Sequence, residues 1–143
     1  MTLKFTRLSP AVPMPAYATA GAAAFDLAAA ADVVVPPRGI ALVPTGLVVA
    51  VPAGHFLAIL ARSSTPLKRG LMVANGVGVI DSDYCGPADE VKIQVINVTD
   101  EPVHVAAGDR LAQGMLLGAP RVTFEEVAIS DHISRGGFGS TGR

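Results

Sequence analysis

The stretch Val33-Val34-Val35-Pro36-Pro37-Arg38-Gly39-Ile40-Ala41-Leu42-Val43-Pro44 decides the fold. Short β-branched and apolar runs are cut by proline and glycine before a helix could close two turns. The pattern continues outward. Leu47 to Val51 ends at Pro52-Ala53-Gly54, and His55 to Ala61 ends in a polar loop. Val91-Lys92-Ile93-Gln94-Val95-Ile96 alternates with period two, and Val103-His104-Val105 and Val122-Thr123-Phe124 look alike. These are strand lengths and strand residues with turn chemistry between them. No segment carries a sustained 3.6-residue apolar stripe. Ala22 to Ala31 is alanine-rich, but Phe25-Asp26-Leu27 among strand-like neighbours reads as extended. Many short strands and 11 prolines predict an all-β sandwich, jelly roll or barrel. One short helix is expected after Thr65-Pro66, with Thr65 as N-cap, Pro66 in the first position and Gly70 closing it.

Composition bounds what such a chain does. It has 143 residues, one domain's worth, and 50% of them are apolar while 16% are charged. So small a monomer has too much surface to be that apolar, so contacts between subunits are expected. A net charge of −1 speaks against a bulk nucleic-acid binder, though not against binding one nucleotide. No run is long enough for a membrane-spanning helix, and Met1-Thr2-Leu3-Lys4-Phe5 lacks a signal-peptide layout. With Cys85 the single cysteine, no intrachain disulfide is possible, which suits the cytoplasm. His55, His104 and His132 are scattered and suggest no structural zinc.

Several segments carry chemistry. Arg62-Ser63-Ser64-Thr65-Pro66 sets a guanidinium and hydroxyls at the entrance of the expected helix, which suits phosphate or a capped surface turn. Gly76-Val77-Gly78-Val79-Ile80 runs into Asp81 and Asp83. On a strand, carboxylates at i and i+2 would share a face, where they could serve a water as base or hold Mg²⁺; the alternative, favoured by turn propensity when the segment is taken alone, is an ordinary Asp-rich turn. Asp26 sits alone between apolar residues and needs a partner. Asp109 with Arg110 suggests a structural ion pair, and Gln113 a polar residue on a strand face. Residues 131–143 read as a flexible glycine-rich tail. Their one ring, Phe138, stands among glycines, hydroxyls and arginines that suit a nucleotide better than a core.

In this order, the segments resemble the trimeric dUTP pyrophosphatase (dUTPase) family over nearly the whole chain. The motifs are Ala24-Phe25-Asp26-Leu27-Ala28; Arg62-Ser63-Ser64 with Lys68 and Gly70; Gly78-Val79-Ile80-Asp81-Ser82-Asp83-Tyr84; Gly108-Asp109-Arg110-Leu111-Ala112-Gln113; and Gly136-Gly137-Phe138-Gly139-Ser140-Thr141-Gly142. The resemblance implies a distorted jelly roll over residues 1–130, closed by the tail 131–143. It implies a cytoplasmic homotrimer with shared active sites and Mg²⁺-dependent hydrolysis of dUTP to dUMP and pyrophosphate. That reaction keeps uracil out of DNA and supplies dUMP for thymidylate synthesis. Asp81 would polarise the attacking water, and Tyr84 would pack under the deoxyribose. The hairpin from Asn75 through Gly78 to Ile80 would read uracil. Arg62, Ser63, Ser64 and Gln113 would hold the phosphates, with Phe138 over the base and Gly139, Ser140 and Thr141 closing on the phosphates. Asp26 and Arg135 would support the site, with Mg²⁺ held by the triphosphate and water.

The chain departs from the family pattern in three places. Ser64 stands where glycine is usual, Pro87-Ala88-Asp89 is inserted after Gly86, and Arg135 abuts Gly136 rather than lying further ahead of it. Two other functions use the same fold. A dCTP deaminase would need a carboxylate where this chain has Gln94, whose amide is no base at neutral pH. A non-catalytic nucleotide-binding module would have no use for Asp81, Tyr84 and the tail together.

Overall fold

A computed structural model describes residues 1–128, 133, 134, 136 and 137. The strands are β1 (Lys4–Arg7), β2 (Phe25–Ala28), β3 (Val33–Val35), β4 (Ile40–Pro44), β5 (Leu47–Ala50) and β6 (His55–Ala61). The single described helix α1 (Ser64–Arg69) follows, then β7 (Leu71–Val73), β8 (Gly78–Ile80), β9 (Lys92–Asn97), β10 (Val103–Val105) and β11 (Arg110–Gly118). They form a β jelly roll. The strand orders are β2-β11-β6-β8 and β4-β9-β7, with the pairs β1-β5 and β3-β10 beside them. Every pairing is antiparallel.

Period-two sequence becomes two-faced strands. On β9, Ile93, Val95 and Asn97 are buried while Lys92, Gln94 and Ile96 face the other way. On β2, Phe25 and Leu27 are buried and Asp26 turns outward. Leu27, Leu57, Ile59 and Leu111 meet Val43, Leu71, Ile93 and Val95 in one core, so the two larger sheets share their apolar faces. Asn97 is fully buried with its polar groups satisfied: its amide donates to the Val35 and Glu101 carbonyls while its oxygen accepts from the Thr99 N–H. Close packing also fixes Gly114 at the middle of β11. A Cβ there would stand 2.6 Å from the Phe25 ring and 3.1 Å from Leu57.

Four expectations need correction. The helix begins at Ser64, not after Pro66, with Ser63 at the N-cap position. Thr65 is buried inside it, because its hydroxyl donates to the Leu111 carbonyl at 2.7 Å. Gly70 does close the helix, at φ 62° and with its N–H on the Pro66 carbonyl. Val122-Thr123-Phe124 is not a strand: Val122 is 69% exposed and Phe124 93%, and no strand among the described residues pairs with them. Alternation makes a strand only where a neighbour supplies the ladder. Asp81 and Asp83 lie beyond the end of β8 in a turn, so the period-two facing of a strand does not apply to them. Finally, Asp109 pairs with Arg69 at 2.6 Å, not with Arg110, which pairs with Asp26.

Gly114→Ala should destabilise the chain by about 1–3 kcal/mol, the usual cost of forcing a methyl into a filled core. The midpoint of chemical denaturation checks this; an unchanged midpoint would show that Phe25 and Leu57 give way freely.

Candidate functional site

Two clefts gather part of the residues singled out from the sequence, Arg62 and Ser64 in one and Ile80, Asp81 and Tyr84 in the other. The first lies where β6 runs into α1 and β11 begins. Its floor depends on a β-bulge: Arg110 pairs with Ala28, yet Ala112 pairs with Leu27, so Leu111 is the extra residue. Without the bulge, Arg110 and Gln113 would point to opposite faces. With it, both stand on the outward face with Asp26, which lies opposite Gln113. The carbonyls at the bulge are used. That of Leu111 accepts from Thr65, and that of Arg110 accepts from Arg62 at 3.1 Å.

Asp26 is the partner-seeking carboxylate, and it has two partners. Oδ1 takes the Arg62 Nε at 2.9 Å and Oδ2 the Arg110 guanidinium at 2.8 Å. Its side chain is only 17% exposed, so the pair is partly shielded from water. Gln113 donates to the Ala61 carbonyl at 3.1 Å, which anchors it beside Arg62. Next to them opens a cleft of about 280 Å³ lined by Arg62, Ser64, Lys68, Arg69, Asp109 and Arg110. Its cations outnumber its carboxylates, so it is suited to a compact polyanion. Arg69 and Asp109 bind helix to turn, and Asp109 also accepts from the Ala106 N–H at 2.9 Å. The Arg69 guanidinium, helped by that N–H, holds the Asp109 carboxyl below its usual range against the opposing effect of burial.

The second cleft, about 400 Å³, is lined by Leu42, Val79, Ile80, Asp81, Tyr84, Glu90 and Lys92. Asp81 follows β8 directly, and its carbonyl accepts from the Tyr84 N–H, which folds the loop back on itself. Asn75 sits in the turn before β8, with Gly76 at φ 72°. Gly78 packs against Ile59, where a Cβ would approach to 3.0 Å. The Pro87-Ala88-Asp89 insertion closes as a small turn whose Pro87 and Ala88 face solvent. Asp89 holds it by accepting from the Gly86 N–H at 2.7 Å.

The two clefts are apart within one chain. Ile80 pairs with Leu57, so Asp81 lies at the His55 end of β6, while Arg62 follows its other end. At about 3.3 Å per residue, the groups are separated by roughly 20 Å. Ser63, at the N-cap position of α1, is exposed and does not line the first cleft. Arg135, Phe138, Gly139, Ser140 and Thr141 lie outside the described residues. Lys68 belongs to the sequence motif and Thr65 to the hydroxyl-bearing loop read as a helix cap, but Arg69 and Glu90 as site-building residues carry no sequence signal; their partners are dozens of positions away or across an insertion.

A cation-rich cleft and a carboxylate-bearing cleft on a jelly roll suit a small polyanionic ligand. The dUTPase family model matches residues 11–142, and the chain belongs to the dUTPase family. It is 43% identical to the deoxyuridine 5'-triphosphate nucleotidohydrolase of Wolinella succinogenes over 145 aligned positions, covering 100% of this chain and 95% of that protein. Identity to the Caulobacter vibrioides (strain NA1000 / CB15N) protein of the same name is also 43%, covering 92% and 86%. The crystal structure of the Streptococcus mutans dUTPase superposes with a TM-score of 0.78 at 32% identity, covering 87% of this chain and 100% of that one. The family and the enzyme class implied by the five motifs, a dUTP diphosphatase, are thereby borne out.

Asp109→Asn should remove stability at neutral pH but not in acid. The folded carboxyl titrates below its unfolded value of about 4. Its contribution is therefore complete above that pH and is lost as pH falls through the folded value. For a partly exposed pair the difference should be roughly 1 kcal/mol or less. Denaturation of both proteins from pH 7 down to pH 2 checks it; a gap that persisted unchanged at pH 2 would contradict the ion pair.

Proposed function

We propose that this chain hydrolyses dUTP to dUMP and pyrophosphate. The observation that carries the proposal is the pair of clefts, one rich in cations and one ending in Asp81 beside Tyr84, on a chain of the dUTPase family. Asp81 takes a proton from water as the water oxygen attacks the α-phosphorus. The bond from that phosphorus to the bridging oxygen breaks, and pyrophosphate leaves with the electron pair. Arg62, Ser63, Ser64 and Gln113 hold the phosphate chain, with Asp26 orienting Arg62 from behind. Tyr84 lies under the deoxyribose, and the backbone from Asn75 to Ile80 reads uracil, whose narrow slot excludes a thymine methyl by size. Phe138 stacks on the base, and Gly139, Ser140 and Thr141 close on the phosphates; Arg135 supports them. The reaction would remove a precursor of uracil in DNA and supply dUMP for thymidylate synthesis. The free thiol of Cys85 suits a reducing cytoplasm.

Mg²⁺ fits the donor chemistry. Among the described residues no three His, Cys, Asp or Glu side chains gather into a cage. Its donors would be triphosphate oxygens and water, as suits a small hard cation. It would offset phosphate charge, while the residues above bind and orient.

We also propose a homotrimer with shared sites. Roughly 20 Å between Asp81 and Arg62 in one chain is too far for one triphosphate to span, given strand rise. A complete site would take the carboxylate from one copy and the cations from another. Ile40, Ile96 and Met72 stand side by side across β4, β9 and β7, with Leu42 beyond them, on the outward face of that sheet. Such a face is suited to burial against a second copy. The family resemblance favours three copies.

Incubation with each dNTP and Mg²⁺ should consume dUTP and yield dUMP and pyrophosphate. Asp81→Asn should lower kcat by about 10²–10⁴-fold while dUTP still binds. Near-normal turnover in that variant would remove Asp81 from the chemistry. Release of ammonia from dCTP would favour the deaminase, against which Gln94 stands as an amide on β9. Light scattering should give three chains per particle, and a stable monomer at micromolar concentration would defeat the shared site.

A further inference from the structure

Tyr84 is 40% exposed at the mouth of its cleft, where little packing holds a ring in place. Its hydroxyl nevertheless donates to the main-chain oxygen of Glu90 at 3.2 Å. That oxygen is itself fixed. The Glu90 carboxylate accepts from the Gly46 N–H at 2.8 Å, in the turn between β4 and β5. Gly46 is held on its other side, its carbonyl accepting the Leu8 N–H at 2.8 Å, and at φ 67° with Val12 against any added Cβ only glycine fits there. One residue on, Val91 is tied on both sides, its N–H on the Leu47 carbonyl and its own carbonyl accepting the Thr45 hydroxyl at 2.6 Å. The Gly86–Asp89 turn then delivers the chain from Tyr84 to this anchor.

We propose that Glu90 is a positioning residue for sugar selection. Its carboxylate clamps the end of the 81–90 loop to the Gly46 turn, and its main-chain oxygen, so placed, fixes the Tyr84 ring. This rests on the proposed role of Tyr84 against the deoxyribose. A ring free to swing away would leave room for a ribose 2′-hydroxyl. Discrimination would therefore depend on a carboxylate that never touches the nucleotide.

Tyr17 and Tyr84 are the chain's two tyrosines, so the ring can be watched directly by NMR of protein carrying ¹³C-labelled tyrosine. In Glu90→Ala the Tyr84 ring signals should shift and broaden. The ratio of kcat/KM for UTP to that for dUTP should rise about three- to tenfold, the scale of one hydrogen bond. Glu90→Gln keeps an oxygen for the Gly46 N–H and should restore both. In a Tyr84→Phe background, Glu90→Ala should add nothing to the ratio. Unmoved ring signals would overturn the proposal, as would an equal rise in ratio in the Phe background. Moved signals with an unchanged ratio would overturn the sugar role. Tyr84→Ala would then show whether Tyr84 itself fails to select: an unchanged ratio there defeats the earlier assignment rather than the clamp. In a chain that turned over no dUTP, the ring signals alone would still decide the clamp. Should Glu90→Ala not fold, Asp89→Ala loosens the same loop and should move the ring signals in the same direction; signals left in place would count against it.

Discussion

The ladder between β6 and β11 is the constraint on which the rest depends. It runs from Ala112 opposite Ala61 to Gly118 opposite His55, and each strand has a second neighbour, β8 for β6 and β2 for β11. Its register turns Leu57 and Ile59 into the core. On the other side of β11, the register with β2 brings Gly114 against the Phe25 ring, where an added Cβ would collide. A one-residue slip would reverse every side chain on both strands. The ladder therefore fixes the fold and the site together: one end of β6 delivers Arg62, and the other lies beside Asp81.

Local irregularity then converts this frame into chemistry. The bulge at Leu111 rotates Arg110 onto the face of Asp26 and Gln113, and its carbonyls draw in Thr65 and Arg62. Thr65 carries the helix with it, and Arg69 secures the far end on Asp109. Asp26 balances two guanidiniums at once. It holds them apart from each other and presents them together, where two unpaired arginines would repel. Side chains held in this way keep fewer rotamers to lose, which is how pairing pre-orders a cleft.

The second cleft is built by a different device. Its apolar wall comes from strand residues, Leu42 on β4 with Val79 and Ile80 on β8, while Asp81, Tyr84 and Glu90 sit on the 81–90 loop and Lys92 begins β9. Surface loops tolerate added residues because lengthening them costs little closure entropy. The Pro87-Ala88-Asp89 insertion is accommodated by a turn held by its own Asp89. Rigidity comes back through Glu90 and Val91, which tie the loop to the β4–β5 turn and to β5.

The sequence by itself determined the strands that alternate or stop at proline, the helix stop at Gly70, the isolated Asp26 in need of a partner, and the motif order that marks the family. These are written in local period, turn chemistry and residue identity, which need no knowledge of neighbours. It misread Val122-Thr123-Phe124, because alternation alone supplies no ladder partner. It paired Asp109 with Arg110 because they are adjacent, whereas β-bulge geometry sent Arg110 to Asp26 and left Asp109 for Arg69. The separation of Asp81 from Arg62, the buried Thr65 hydroxyl and the Glu90 clamp on Gly46 were decided only by tertiary structure. Each depends on strand register and on contacts between residues dozens of positions apart, and no local pattern encodes which backbone group a distant side chain will meet.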